Sequence, residues 1–170
     1  MESKQKRTAL VTGGSSGIGR CTAAALSKAG YIVYEFSRRD VPVEGVRHMR
    51  VDVTDEASVQ EAVGQILLER ESIEILVNCA GFGISGAVEF TESEQAKAQF
   101  NVNFFGTVNV SRAVLPSMRR QHSGHIVNIS SVAAVAHIPF QAFYSASKAA
   151  VSSYSLSLIH ISEPTRQAEI

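Results

Sequence analysis

The chain has 170 residues, 45% of them apolar, with 16 basic side chains balanced by 16 acidic ones and a mean hydropathy of +0.05. That length suits one domain with a real core, and a zero net charge without long like-charge blocks gives no footprint for nucleic acid or another polyanion. The basic start, Lys4 to Arg7, leads within a few residues to Gly13-Gly14, which indicates neither a signal peptide nor membrane insertion, and Cys21 and Cys79 form neither a metal spacing nor a disulfide framework, so a cytoplasmic setting is expected.

Thr8 to Val11 reads as a short buried strand. It runs into Thr12-Gly13-Gly14-Ser15-Ser16-Gly17-Ile18-Gly19 and then into a helical pattern of Ile18, Thr22, Ala25, Leu26 and Ala29, stopped by Gly30. Strand, glycine turn and helix in succession favour nucleotide binding over a chance flexible turn. Glycines let backbone approach a pyrophosphate, and a helix N-terminus offers free N–H groups. Tyr31 to Phe36 predicts a second strand, followed by Ser37-Arg38-Arg39. Val46 to Val51 predicts a third, ending at Asp52-Val53, with Thr54 as the cap of the next helix. Ala57, Val59, Ala62, Val63, Ile66 and Leu67 give that helix one apolar side.

Ile73 to Val77 predicts a fourth strand, which leads to Asn78-Cys79-Ala80-Gly81; Cys79 reads as a buried structural thiol rather than a nucleophile. Gly81 to Gly86 is a flexible, partly apolar loop expected near a substrate mouth. Thr91 with Glu94 predicts a capping box for a long helix reaching at least Met118, which Pro116 should kink or end near its last turn. Asn103 lies within it among apolar residues, and Gly106 follows; a mid-helix amide is ordinarily a mild cost or a satisfied buried group. Gly124 and His125 open a fifth strand, Ile126 to Ile129, leading to Ser130-Ser131. The carboxyl ends of such strands are where parallel α/β sheets bind ligands. His48, His122, His125, His137 and His160 fall in no metal-ligand pattern and are assigned no chemistry.

Tyr144 and Lys148 are four residues apart, one helical turn, and so share a face. A free tyrosine titrates near about 10, and bringing it to about 7 requires roughly 4 kcal/mol of preference for the phenolate. One ammonium about 4 Å away, at an effective dielectric of about 20, supplies roughly that much. The pair is a plausible general acid/base, although such pairs also occur on ordinary solvated helix faces.

Taken together, Gly13-x-x-x-Gly17-x-Gly19, Asn78-Cys79-Ala80-Gly81, Asn103-x-x-Gly106, Ser131 and Tyr144-x-x-x-Lys148 resemble the short-chain dehydrogenase/reductase family from about Thr8 to Ser155. The resemblance implies a doubly wound parallel α/β sheet of Rossmann type, strand order 3-2-1-4-5, cut short after the fifth strand and the start of the following helix. It implies hydride transfer between a nicotinamide cofactor and an alcohol or ketone. Ser131, thirteen residues before Tyr144, would hydrogen-bond the substrate oxygen, with Ser130 the alternative if the register slips by one. Tyr144 would carry the proton, Lys148 would bind the nicotinamide ribose and lower the Tyr144 pKa, and Asn103 would hold a relay water by its backbone. Thr12, Gly13, Ser15, Ser16, Gly17, Ile18 and Gly19 would bind the cofactor's phosphates. Asp52 and Val53 would meet its adenine, and Asn78, Ala80 and Gly81 would lie along its ribose, with Cys79 standing where relatives carry a second Asn.

NAD-binding relatives commonly carry an acidic residue where this chain has Ser37 followed by Arg38; a guanidinium suits a 2′-phosphate, so NADP(H) is expected over NAD(H), with Asp40 the residue that could reverse the preference. The Gly81–Gly86 loop resembles the hydroxysteroid or retinol dehydrogenase branch. Relatives often dimerise through the helices that carry Asn103 and Tyr144, so the complete protein is expected to be a homo-oligomer acting on a small molecule, with no nucleic-acid or membrane partner. Residues 156–170 resemble translated sequencing adapter and are expected to be a non-native tail after a catalytic domain spanning residues 1–155, with Pro164 breaking any helix. The fifth strand would then be an exposed apolar edge, and the chain by itself inactive or nearly so. A cofactor-binding remnant or a non-functional fragment is the other reading.

Overall fold

The computed structural model describes residues 7–136 and 138–162. Five parallel strands form one sheet in the order β3-β2-β1-β4-β5, with β1 Thr8–Thr12, β2 Ile32–Ser37, β3 Val46–Arg50, β4 Ile75–Asn78 and β5 His125–Asn128. The helices are α1 Gly17–Lys28, α2 Glu56–Arg70, α3 Ser93–Phe100, α4 Gly106–Arg120 and α5 Ala142–Ser162. The predicted doubly wound α/β sheet and its strand order are therefore present.

Parallel pairing makes the strands apolar on both faces, because each face is meant to be covered by helices. The register aligns Leu10, Tyr34 and Leu76 in one row and Val11, Glu35 and Val77 in the next. Leu10, Phe36, Leu76 and Ile126 face α2 and α4, where Val59, Val63, Ile66, Val110 and Val114 complete the larger core. On the other face Ala9, Val11, Val33 and Val77 pack with Ala23 of α1. Among the described residues α1 packs over β1 and β2 and touches β3, which leaves Val127 of β5 46% exposed on that side. Among the described residues the fifth strand lies at the edge of the sheet.

Three local expectations need correction or extension. Asp55, not Thr54, caps α2: its carboxylate accepts from the Ala57 and Ser58 N–H groups, while Thr54 donates to Asp52. The Thr91–Glu94 capping box does not form. The Thr91 hydroxyl donates back to the Ala87 carbonyl across a 3₁₀ turn, Val88–Phe90, and Glu92 occupies the cap position without a side-chain bond. Local hydroxyl-to-carbonyl bonding competed with the cap and won. Pro116 lies near the last turn of its helix, as expected, and α4 continues only to Arg120, with Ala113, Val114, Ser117 and Met118 buried around it. Finally, α5 keeps helical backbone past Ser155 to Ser162. Pro164, with the rest of 163–170, and His137 lie outside the described residues.

Candidate active site

The carboxyl ends of β1, β2, β4 and β5 open into one cleft of about 950 Å³. Its walls carry Gly13, Ser15, Ser16, Gly17, Ile18 and Gly19 from the first turn, Ser37 at the end of β2 with Arg38 after it, and Asp52 and Val53 after β3. Ala80 and Gly81 follow from β4, Ser130 and Ser131 from β5, and Tyr144 and Lys148 from α5. Sequence positions more than a hundred residues apart thus converge because every strand points the same way.

The glycine loop is held against the β4 turn by close backbone contact. Gly13 has φ +71°, and a Cβ there would lie 2.9 Å from Ala80 Cα. The Thr12 hydroxyl accepts from the Cys79 and Ala80 N–H groups at 3.1 and 3.0 Å. Thr12 is buried, so its hydroxyl locks two loops together and does not face the cleft. Past the loop, Ser16 caps α1 without a side-chain bond, and no acidic residue occupies the first turn. The first N–H groups of α1 therefore remain free donors at the positive end of the helix dipole.

Beside this terminus, Arg39 Nη2 donates to the Ser15 and Ser16 hydroxyls at 3.4 and 3.5 Å. Sequence reasoning singled out Arg38; it left Arg39 as one of two residues that could be plain surface charge. Arg38 lies toward Asp52. Partial burial pushes the Asp52 carboxyl up, but the Thr54 N–H and hydroxyl it accepts, with Arg38, hold it below the usual carboxylate range. The Ser37 hydroxyl donates to the Arg39 carbonyl at 2.8 Å, which shapes the turn that presents both guanidinium groups.

On the other side of the cleft, Asn78 is buried and lies behind its wall. Its amide nitrogen donates to Asn128 Oδ1 at 2.8 Å and Ser111 Oγ at 3.1 Å, bridging β4 to β5 and α4. Cys79 is half-buried and lines the cleft; burial pushes its thiol up, with a smaller opposing pull from Lys148. Gly81 is needed for space, since a Cβ there would sit 3.0 Å from Asn103 Oδ1 and 3.4 Å from Lys148 Nζ.

Asn103 occupies a π-helical stretch, Asn101–Phe105, between α3 and α4. Such single-turn bulges widen the backbone ring and recur at functional sites. The Asn103 side chain is fully buried and clamps Phe82, accepting from its N–H and donating to its carbonyl, both at 2.9 Å. It also donates to Ser147 Oγ at 3.0 Å, and Ser147 in turn donates to the Tyr144 carbonyl at 2.8 Å. The Asn103 carbonyl accepts the Thr107 hydroxyl at 3.0 Å. Ser147 and Gln99, which donates to the Phe82 carbonyl at 3.2 Å, join this cluster without any local sequence signal.

Lys148 is buried and donates to the Ile129 carbonyl at 2.7 Å; burial lowers its pKa, opposed weakly by Cys79. Tyr144 is half-buried, with its ring across from Gly83. Ser131 caps a 3₁₀ turn, Val132–Ala134, accepting from the Ala133 N–H. Ser130 is engaged by α5 instead: its hydroxyl lies 3.0 Å from the Lys148 carbonyl and 2.7 Å from Ser152 Oγ. Among the described residues no three His, Cys, Asp or Glu side chains gather as a metal site would require.

A parallel sheet whose first turn is a glycine loop, with Ser, Tyr and Lys gathered at the ends of its later strands, defines a class of dinucleotide-binding folds. The family model described as short chain dehydrogenase matches residues 7–166, and the chain belongs to that family. It is 50% identical over 155 residues to a 3-ketodihydrosphingosine reductase of Bacteroides thetaiotaomicron, a match covering 91% of this chain and 58% of that protein. The ligand-free aldohexose dehydrogenase of Thermoplasma acidophilum superposes with a TM-score of 0.88 at 33% identity, over 91% of this chain and 60% of the other. ElxO with NADP bound superposes with a TM-score of 0.82 at 30% identity, over 88% and 65%. The chain therefore spans somewhat over half the length of the Bacteroides relative.

Proposed function

We propose that the complete protein reduces a ketone with NADPH, and that this chain carries its cofactor site and its proton donor. The observation that carries this reading is the convergence of the free α1 N-terminus, two arginines and the Ser131–Tyr144–Lys148 group on one cleft. The residues present fit a phosphorylated dinucleotide: uncapped helical N–H groups suit a pyrophosphate, and Arg38 and Arg39 suit a 2′-phosphate. When bound, NADPH would supply the hydride that reduces the carbonyl carbon. The resemblance of this chain to a 3-ketodihydrosphingosine reductase favours a ketone carried on a long alkyl chain.

In this reading Ser131 donates to the carbonyl oxygen and orients it, and Tyr144 gives its phenolic proton to that oxygen as negative charge develops there. Lys148, charged in a buried setting, steadies the phenolate that remains. Asn103 and Ser147 fix Tyr144 by bonding its backbone turn to Phe82 and to the π-helical stretch that precedes α4. The Asn103 backbone would hold a water through which the phenolate regains a proton. Gly13, Ser15, Ser16, Gly17, Ile18 and Gly19 hold the phosphates, Asp52 and Val53 the adenine, and Ala80 and Gly81 the ribose. Ser37 lines the cleft beside Arg38, and Thr12 and Asn78 act behind its walls.

The exposed β5 edge favours a second reading, in which this chain by itself is a cofactor-binding remnant or a non-functional fragment. Melting with and without NADPH separates the cases. A ligand at about 100 times its Kd adds roughly 2.7 kcal/mol of stability. A cooperative transition that rises with NADPH supports binding, and oxidation of NADPH on addition of a long-chain ketone supports the enzyme. A chain that melts cooperatively but is indifferent to both cofactors overturns the reading.

A further inference from the structure

A groove of about 640 Å³ lies on the other flank of α5. Ala142, Ala146 and Ala149 follow one another at helical spacing and line it, whereas Tyr144 and Lys148 project about half a turn away and line the cleft. Two loops wall both cavities. In the first, Phe82 and Gly83 face the cleft and Gly86 to Glu89 the groove; in the second, Gln141 faces the cleft and Ile138 to Phe140 the groove. The loops are bonded to each other between these two sets of residues. The Gly86 N–H donates to the Phe140 carbonyl at 2.8 Å, and Gln141 Nε2 donates to the Ser85 hydroxyl at 3.3 Å.

Three observations mark the groove as a place for a ligand. Its walls are apolar, yet Val88, Ile138 and Phe140 stand 57%, 43% and 68% exposed, so apolar area remains to be taken from water. Phe140 has φ +62°, a left-handed backbone that a bulky side chain adopts only at a cost, and such strain gathers at ligand clamps. Ser145 lines the groove and is 7% exposed, and its hydroxyl is buried without a hydrogen-bond partner among the described residues. Buried hydroxyls are ordinarily paired. Apolar walls with a single unspent polar group are the usual make-up of a small-molecule site.

We propose that this groove is an alkyl-chain subsite: it takes the hydrocarbon tail of the ketone whose carbonyl lies at Tyr144, the tail passing over the loop junction at Ser85 and Gln141. The inference rests on the ketone reading above and says where such a substrate is recognised. The tail covers Val88, Ile138 and Phe140, so the groove reads chain length while the chemistry stays in the cleft. A tail too short to cross the junction gains nothing from the groove. Each methylene beyond it raises affinity about three- to fourfold until the groove is full.

The test is a titration of the 170-residue chain, with NADPH present, against straight-chain methyl ketones from methyl ethyl ketone to methyl decyl ketone. The chain contains no tryptophan, so Phe140→Trp sets a single fluorescent reporter on the groove wall. Line broadening of the ketones in proton NMR reads binding to the unsubstituted chain and needs no variant to fold. Affinity should rise about three- to fourfold per methylene among the longer ketones. Ala146→Leu, at an exposed helix position, fills the groove. It should weaken methyl decyl ketone at least about tenfold and leave methyl ethyl ketone and NADPH unchanged. NADPH binding without a chain-length dependence, or a dependence that Ala146→Leu leaves intact, overturns the subsite and leaves the cofactor reading standing. A dimer that Ala146→Leu turns into a monomer, with ketone affinity unmoved, gives the groove to a second copy and also overturns it. If NADPH does not bind but the ketone series keeps its dependence and its loss in Ala146→Leu, the proposed function falls and the alkyl groove stands. Binding of neither overturns both.

Discussion

Tyr144, Ser131 and Lys148 reach one cleft because a strand end and a helix start meet there, so each can be tested by one atom. Tyr144→Phe in the complete protein should lower kcat by at least about 100-fold while NADPH affinity stays within about threefold, since only the proposed proton donor is lost; retained turnover would exclude the acid role. Ser131→Ala should behave similarly, whereas Ser130→Ala should mainly lower stability, because Ser130 faces α5. Arg38→Asp should move the NADPH-to-NADH preference by at least about tenfold, and Arg39→Ala should weaken NADPH more than NADH. An unchanged ratio in both would count against the 2′-phosphate site. Arg39 was hard to weigh from sequence because a charge after a strand is usually solvated; only the fold turns it back over Ser15 and Ser16.

The elements matter through their junctions. Asn78→Ala removes two buried hydrogen bonds between β4, β5 and α4 and should cost about 1–3 kcal/mol, read as a fall in melting temperature. Asn103→Ala loosens Phe82 and Ser147 together, so it should lower both stability and kcat; a change in kcat alone would indicate a direct part in proton transfer. Asp52 carries a sign that can be worked out. Its folded pKa lies below the unfolded value, so its stabilising contribution is present above about pH 4 and fades as pH falls through the folded pKa. Asp52→Asn should flatten the acid limb of stability against pH, and an unchanged limb would show that Thr54 and Arg38 contribute nothing there.

For the whole molecule, the uneven covering of the sheet decides behaviour. The face carrying Val11, Val77 and Val127 has α1 over β1 and β2, and among the described residues no helix lies over Val127. Edge strands with exposed apolar side chains template association. Val127→Lys should leave the melting temperature nearly unchanged and reduce light scattering of this 170-residue chain at high concentration. If scattering is unaffected, the β5 edge is not the sticky surface.

The sequence by itself determined the five strands, because hydrophobic period and glycine spacing are local properties, while their parallel order followed from the family resemblance; of the residues singled out for the site, Thr12, Asn78 and Asn103 do not line the cleft. It erred where two local bonds compete, as at Thr91 and Thr54, and it passed over Glu35, Ser147 and Gln99, whose partners lie in other elements. Glu35 shows the reason most clearly. In the sequence it is one acid inside an apolar run; only pairing of β2 with β3 and the descent of Gly14 onto it make it a buried carboxyl group beneath the glycine loop. Long-range contacts decide such roles, since a buried charge acquires its meaning from the groups that surround it.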